Sequence, residues 1–246
     1  MAPVFEAFVE RFRSLSTLAA APRRDVLRAW NGLGYHRRAV ALSEAARIVV
    51  RDFGARLPAD PRALRRLPGV GRYTSAAVAS IAFGTPVAAV DTNVRRIVAR
   101  VHLGVEADDA SSGDVADLAD AWLDRRDPGR WNEALMDLGR EVCRPRPRCD
   151  RCPLLRDCRF AAAGLPLRRA RREHRPFRGS TREVRGAVVR ALRSSESLTL
   201  GRLLAATGFG ADRIVPAVAA LARDGIVSAT PAAIAGSPRG RVRLAG

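Results

Sequence analysis

Three groups of residues in this chain are placed to do chemistry. Cys143, Cys149, Cys152 and Cys158 are its only cysteines and lie within 16 residues, with gaps of five, two and five. Thiolates crowded this closely suit a metal centre. Two disulfides fit poorly in a chain of cytosolic type without a signal peptide. Spacing alone leaves tetrahedral zinc and an iron–sulfur cluster both open. Arg144, Arg146, Arg148 and Arg151 surround the cysteines, and positive charge favours the thiolate. The second group is Leu67-Pro68-Gly69-Val70-Gly71-Arg72. Two glycines allow a tight turn with exposed amides, and a helix follows at once. The positive end of that helix and Arg72 make the turn a phosphate-binding device. An ordinary interhelical turn is the plainer reading. Third comes Val90-Asp91-Thr92-Asn93. Asp91 precedes a helix, so capping is one role for it. All 43 basic residues are Arg. A chain without lysine cannot attack a sugar C1′ through a lysine Schiff base, and only its terminal amine remains for that reaction.

These groups need elements to hold them. The pattern up to about residue 160 predicts helices and no strands. Phe5, Phe8 and Phe12 mark a helix starting near Pro3, and Leu42, Ala46, Val49 and Val50 mark another that ends at Gly54. Further helices are predicted around Ala63 and Leu64, from Tyr73 to Phe83, from Thr92 to Val101, near Asp114–Arg125 and over Trp131–Val142. Arginines and prolines crowd residues 164–180 as a basic linker. Beyond it, helices at Arg182–Arg193, Leu200–Thr207 and Ala211–Asp224 precede two short strands, Ile226–Ser228 and Arg241–Leu244. Three helices and a two-stranded wing describe a winged helix-turn-helix. The organisation is therefore a helical domain over 1–160 carrying a cysteine loop at 143–158, a linker at 161–180, and a winged-helix-like α+β unit at 181–246.

At 246 residues the chain can bury a real core, and 47% of it is hydrophobic. Its net charge is +18. GC-rich codon bias accounts for Arg in place of Lys. It does not account for 43 basic residues against 25 acidic ones. That excess points to a polyanion, and nucleic acid is the commonest. No apolar run reaches membrane-spanning length, so a monomeric cytoplasmic, nucleoid-associated protein with no membrane partner is expected.

Taken together, the hairpin, Asp91 some twenty residues after it, and the cysteine array resemble the helix-hairpin-helix base-excision glycosylases of the endonuclease-III-like type. The resemblance covers about residues 3–160 and is nearest to the A/G-specific adenine glycosylase branch (MutY type). It implies a mostly α glycosylase fold and a [4Fe–4S] cluster on Cys143, Cys149, Cys152 and Cys158, with zinc the alternative. The expected partner is double-stranded DNA containing a mispair, gripped through Leu67, Gly69, Val70, Gly71 and Arg72. Trp30-Asn31-Gly32-Leu33-Gly34-Tyr35, followed by Arg38, resembles the branch's segment that wedges into DNA, with Tyr35 intercalating. Tyr73 stands where lyase-competent relatives carry lysine, which implies a monofunctional enzyme. Asn93 and the Trp131–Gly139 run fit the adenine branch. The implied reaction is hydrolysis of adenine from A opposite 8-oxoguanine or G. Asp91 stabilises the oxocarbenium-like sugar, with Asn93 and Tyr73 holding it in place. Another mismatch glycosylase on the same scaffold, or a truncated non-catalytic DNA-binding protein, are the competing readings.

The chain departs from the branch in four ways. Five residues, not six, separate the first two cysteines. His36 replaces the usual second tyrosine. The catalytic glutamate belongs to a segment resembling M-L-Q-Q-T that would precede Pro3, so a misassigned start codon, or a truncation, is expected. Residues 181–246 read as a winged helix where the branch carries a Nudix-like domain.

Overall fold

The computed structural model describes residues 2–30, 32–164 and 177–246, so most of the expected basic linker lies outside the described residues. The chain forms two compact units, Met1–Arg56 with Glu173–Gly246, and Leu57–Arg172.

The first unit begins with α1 (Ala2–Arg11), α2 (Leu15–Ala20), α3 (Arg23–Ala29) and α4 (His36–Asp52). Ser14 starts α2 by accepting the Thr17 amide at 3.1 Å, which satisfies one of the donors a helix leaves open at its start. Helix α4 has no side-chain cap. It follows Tyr35, a non-glycine residue in the left-handed region (φ 45). That conformation is uncommon for a bulky residue and is kept only where its surroundings hold it. Here the Trp30 indole N–H donates to the Gly34 carbonyl at 2.8 Å and pins the loop.

The second unit carries α5 (Pro61–Leu64), α6 (Arg72–Phe83), α7 (Thr92–Val98), α8 (Ser112–Trp122), α9 (Pro128–Glu141) and α10 (Arg159–Ala162). The helix expected to run to Val101 widens at Ala99 into a π segment ending at Leu103. Such segments are rare and often stand at functional sites. Val94, Ile97, Val98, Val115, Ala119 and Leu135 form the core of this unit.

The remainder of the first unit is α11 (Thr181–Leu192), β1 (Leu198–Thr199), α12 (Leu200–Thr207), α13 (Ala211–Arg223), β2 (Val227–Ala229), α14 (Pro231–Ile234) and β3 (Arg241–Leu244). The strands form an antiparallel sheet of order β1-β3-β2, with Leu198 opposite Val242 and Val227 opposite Leu244. The expected wing had two strands. The third is β1, whose two residues are too few to show a period of two. Helix α14 is also additional, and it packs so closely on Gly240 that a Cβ there would lie 2.2 Å from the Ala233 nitrogen.

The division into units also differs from the expected boundary at 160. Leu18, Val26, Leu27, Ala39 and Ala46 are buried in one cluster with Val188, Leu221 and Val242. The N-terminal helices therefore share a core with the C-terminal segment. Amphipathic patterning shows that a helix must bury a face, not which partner covers it. Among the described residues no single helix is long and apolar enough to cross a membrane.

His36, at the start of α4, is partly buried beside Arg185 of α11 and Arg193 just past its end. Burial first, and then these two positive charges, hold its pKa below the ordinary imidazole value. Below about pH 6.5 the unfolded chain takes up a proton that folded His36 resists, so acid favours unfolding and stability rises with pH through that window. The thermal midpoint should fall between pH 7.5 and 5.5, and His36→Gln should make that fall shallower. An equal fall in both proteins would remove His36 as its source.

Candidate active site

Asp91 ends the extended approach Val87–Val90 and caps α7. Its Oδ1 accepts the Asn93 amide at 2.8 Å and the Val94 amide at 2.7 Å. Its Oδ2 accepts the Asn93 side-chain amide at 3.1 Å. One oxygen is thus committed to the helix start, and the other carries a single donor. The capping role and the chemical role fall on one residue, with a division of labour between its two oxygens.

The approach is held from behind. Asn132, fully buried on α9, accepts the Ala89 amide at 2.7 Å. Its side-chain nitrogen shares its two hydrogens among the Val87 carbonyl, the Pro128 carbonyl and the Ser80 hydroxyl, each at 2.9–3.0 Å. All of its hydrogen-bonding groups are used, as burial requires. Asp120 accepts the Ala88 amide at 2.9 Å.

Asp91 and Tyr73 line one cavity of ≈ 740 Å³, within the range of ligand sites. Arg62, Arg65, Arg72 and Arg95 line it as well. The Tyr73 hydroxyl donates to the Met136 sulfur at 3.5 Å, not to Asp91. Burial, and then the Asp91 charge, raise the Tyr73 pKa, so it remains a neutral hydroxyl. Of the two residues expected to hold Asp91, Asn93 does so directly and Tyr73 shares its cavity.

The hairpin precedes this cavity in the chain. Asp60 caps α5 through the Arg62 and Ala63 amides, at 3.0 and 3.2 Å. Leu67 is buried at 4% exposure, so its side chain anchors the turn and only its backbone is available to a ligand. Gly69 takes φ 77, a region only glycine enters without strain. Gly71 starts α6 with no side-chain cap. The first amides of α6 have no intrahelical partner, beside exposed Arg72 and half-buried Val70. Tyr35 and Arg38 lie in the other unit, beside a different cavity.

Cys143, Cys149, Cys152 and Cys158 are free thiols that line one apolar cavity with Leu138, Val142 and Phe160. Among the described residues, no three Cys, His, Asp or Glu side chains converge closely enough to hold a single metal ion. Cys149 and Cys152 are pushed up first by burial, with the neighbouring thiolates acting in the same direction. Such mutual repulsion is relieved by a cation among the sulfurs.

Sequence reading missed the residues that connect these parts. Arg96 donates to the Asn93 Oδ1 at 2.9 Å, the Gly139 carbonyl at 2.8 Å and the Cys143 carbonyl at 2.7 Å. Arg100, 2% exposed, donates to the Glu106 carboxylate at 3.0 Å and the Arg144 carbonyl at 2.8 Å, and lies 3.7 Å from the Cys143 sulfur. Its guanidinium sits 4.9 Å from the Phe160 ring centroid. A basic residue on a helix reads as a solvated face, so composition hides both roles.

Residues 1–118 match the HhH-GPD superfamily base excision DNA repair protein model. Over that stretch the chain is similar to the HhH-GPD superfamily of base excision DNA repair proteins. It is 42% identical over 196 residues to the adenine DNA glycosylase of Mycolicibacterium smegmatis, covering 78% of this chain and 66% of that protein. To the adenine DNA glycosylase of Homo sapiens it is 41% identical over 160 residues, covering 63% of this chain and 29% of that protein. The chain thus spans just under two thirds of its mycobacterial relative and much less of the human one. Among solved structures, a thermostable thymine-DNA glycosylase superposes with a TM-score of 0.61 at 29% identity, covering 65% of this chain and 76% of that one. A non-covalent endonuclease III–DNA complex gives 0.56 at 28% identity, covering 66% and 76%. The HhH-GPD match includes both the hairpin and Asp91.

The seam between α7 and α9 admits no side chain at Gly139, where a Cβ would lie 2.6 Å from the Asn93 Cβ. Gly139→Ala should lower the free energy of unfolding by about 1–3 kcal/mol in urea titrations. A neutral result would mean that α7 and α9 can part without cost.

Proposed function

We propose that this protein is a monofunctional DNA N-glycosylase that removes adenine from A opposite 8-oxoguanine or G in duplex DNA. The observation that carries the reading is the Asp91 carboxylate. Its Oδ1 is locked by the α7 amides, and the residue lines an arginine-rich cavity large enough for a base. A fixed negative charge beside C1′ stabilises the oxocarbenium-like sugar as the base departs. Asn93 holds the second oxygen, and Arg96 holds Asn93. Because Asp91 is positioned before substrate arrives, little reorganisation is needed during the reaction. The hairpin amides and Arg72 bind phosphate without reading sequence. The adenine specificity is supported by the names of the relatives at 41–42% identity.

The four cysteines have the donor chemistry for a [4Fe–4S] cluster, which Cys143, Cys149, Cys152 and Cys158 would hold in the apolar cavity they line together. When bound, the cluster supplies a covalent anchor for the 143–158 loop. Arg100 and Arg96 then tie that anchor to α7 through backbone carbonyls. Protein purified without oxygen should carry about four irons and the matching labile sulfide, and Cys152→Ser should lose both. Stoichiometric zinc with no sulfide would overturn the cluster.

The activity is tested by single-turnover adenine release from a duplex with A opposite 8-oxoguanine. The protein is used with and without residues encoded in frame upstream. Asp91→Asn should lower the rate by at least roughly 10²–10³-fold, as for loss of one preorganised electrostatic partner. With no lysine in the chain, borohydride should trap no covalent adduct, and strand breakage should need alkali. Release of thymine from G·T mispairs in preference to adenine would replace this reading with the activity named for the thymine-DNA glycosylase neighbour.

A further inference from the structure

A second cavity, of ≈ 590 Å³, lies within the first unit between α11 and the loop leading into α4. Its floor is made by Leu33, Gly186 and Val189. Its walls hold Arg37, Arg38, Arg182, Arg185, Arg190 and Arg193, and no carboxylate lines it among the described residues. Asp224 neutralises part of this charge, pairing with Arg185 at 2.5 Å and Arg37 at 3.6 Å. Arg38, Arg190 and Arg193 hold no ion pair among the described residues. Positive groups gathered around an apolar floor raise one another's energy unless an anion joins them. Arginine is the side chain that binds phosphate in a fork, with two parallel hydrogen bonds.

The rim adds a second kind of chemistry. Tyr35 is 67% exposed and Phe177 60% exposed. Tyr35 is held out in its left-handed conformation, with Arg182 3.4 Å from its hydroxyl. Exposed rings beside arginines suit bases with their phosphates, and stacking tolerates any base. A flat ring can also lie over the Gly186–Val189 floor, where Gly186 presents no side chain. An acidic peptide would use the charge and leave the rings and floor idle. A paired duplex would present its phosphates but keep its base faces stacked away from Tyr35.

We propose that this cleft is a binding site for unpaired DNA. The contacts of Tyr35 and Arg38 with DNA are those the family resemblance already implies; the new element is that Arg190 and Arg193 of the C-terminal segment grip phosphates of the strand whose base stacks on Tyr35. The inference rests on the reading of the protein as one that acts on DNA. It assigns the C-terminal helices a part in holding a strand whose bases have been separated.

The test uses the full chain and fluorescence anisotropy, with a fully paired duplex, the same duplex carrying a short unpaired loop, and a single strand, each over a range of salt. Wild-type protein should favour the looped duplex over the paired one. Arg190→Gln with Arg193→Gln should flatten the salt slope for single strand by about 1.4, some 0.7 for each lost phosphate contact. Arg190→Lys with Arg193→Lys should keep most of that slope, which separates lost charge from lost fold. Tyr35→Ala should weaken single-strand binding roughly tenfold. An unchanged slope in the Gln pair, with paired duplex still bound, overturns the cleft and leaves the glycosylase reading standing. Failure of wild-type protein to bind any of the three DNAs overturns both. Equal binding of a polyglutamate peptide, unaffected by Tyr35→Ala, would make the cleft an acidic-peptide site and overturn the proposal.

Discussion

The second unit depends on how one carboxylate is shared. Asp91 Oδ1 receives two backbone amides at the start of α7, and Oδ2 receives the Asn93 side chain. A carboxylate in this position satisfies backbone donors that the start of a helix leaves open. The charge available for chemistry is therefore also the charge that starts the helix. Moving it would cost both, and this makes the position of Asp91 rigid without any special packing around its side chain.

Arginines link this helix start to the cysteine loop. Arg96 joins Asn93 on α7 to a carbonyl of α9 and to the backbone of Cys143. Arg100, on the π segment one turn further along, reaches Arg144 and Pro145 in the same loop and is balanced by Glu106. Burial of a guanidinium is costly unless all of its donors are used and a counter-charge is present. Both conditions are met for Arg100. The widening of α7 into a π segment occurs along the stretch that brings this side chain to the cysteine loop. Burial lowers the Arg96 pKa, with the positive charge of Arg100 adding to that effect and Cys143 opposing it, so the two cations share one electrostatic setting with the sulfur.

The two units divide the basic character of the chain differently. In the second, arginines serve as internal struts or line the cavity of Asp91. In the first, α11 buries Val184, Val188 and Leu192 on one side and presents Arg182, Arg190 and Arg193 toward a cleft on the other. An excess of positive charge that composition reports as one number is thus spent in three ways: structural bridges, a cationic site around Asp91, and an arginine-walled cleft beside an exposed tyrosine.

Much of this was legible in the residues. The helices Arg72–Phe83 and Ala211–Arg223, and the start of α7 at Thr92, follow from periodicity and breakers, because a helix that buries one face writes that face into the sequence every three to four residues. The cysteine array, the hairpin glycines and Asp91 were legible because their chemistry restricts which residue can stand there. Strand β1 and helix α14 were not, being too short to carry a period. Nor were Arg96, Arg100 and Asn132, whose roles come from partners more than forty residues away along the chain. The joining of residues 1–56 with the C-terminal segment was equally hidden. Sequence determines that Val26 and Leu27 must leave water, but the apolar surface of α11 and α13 is one of several that could cover them. Only the folded chain, in which all such faces compete at once for a limited buried volume, decides which one does.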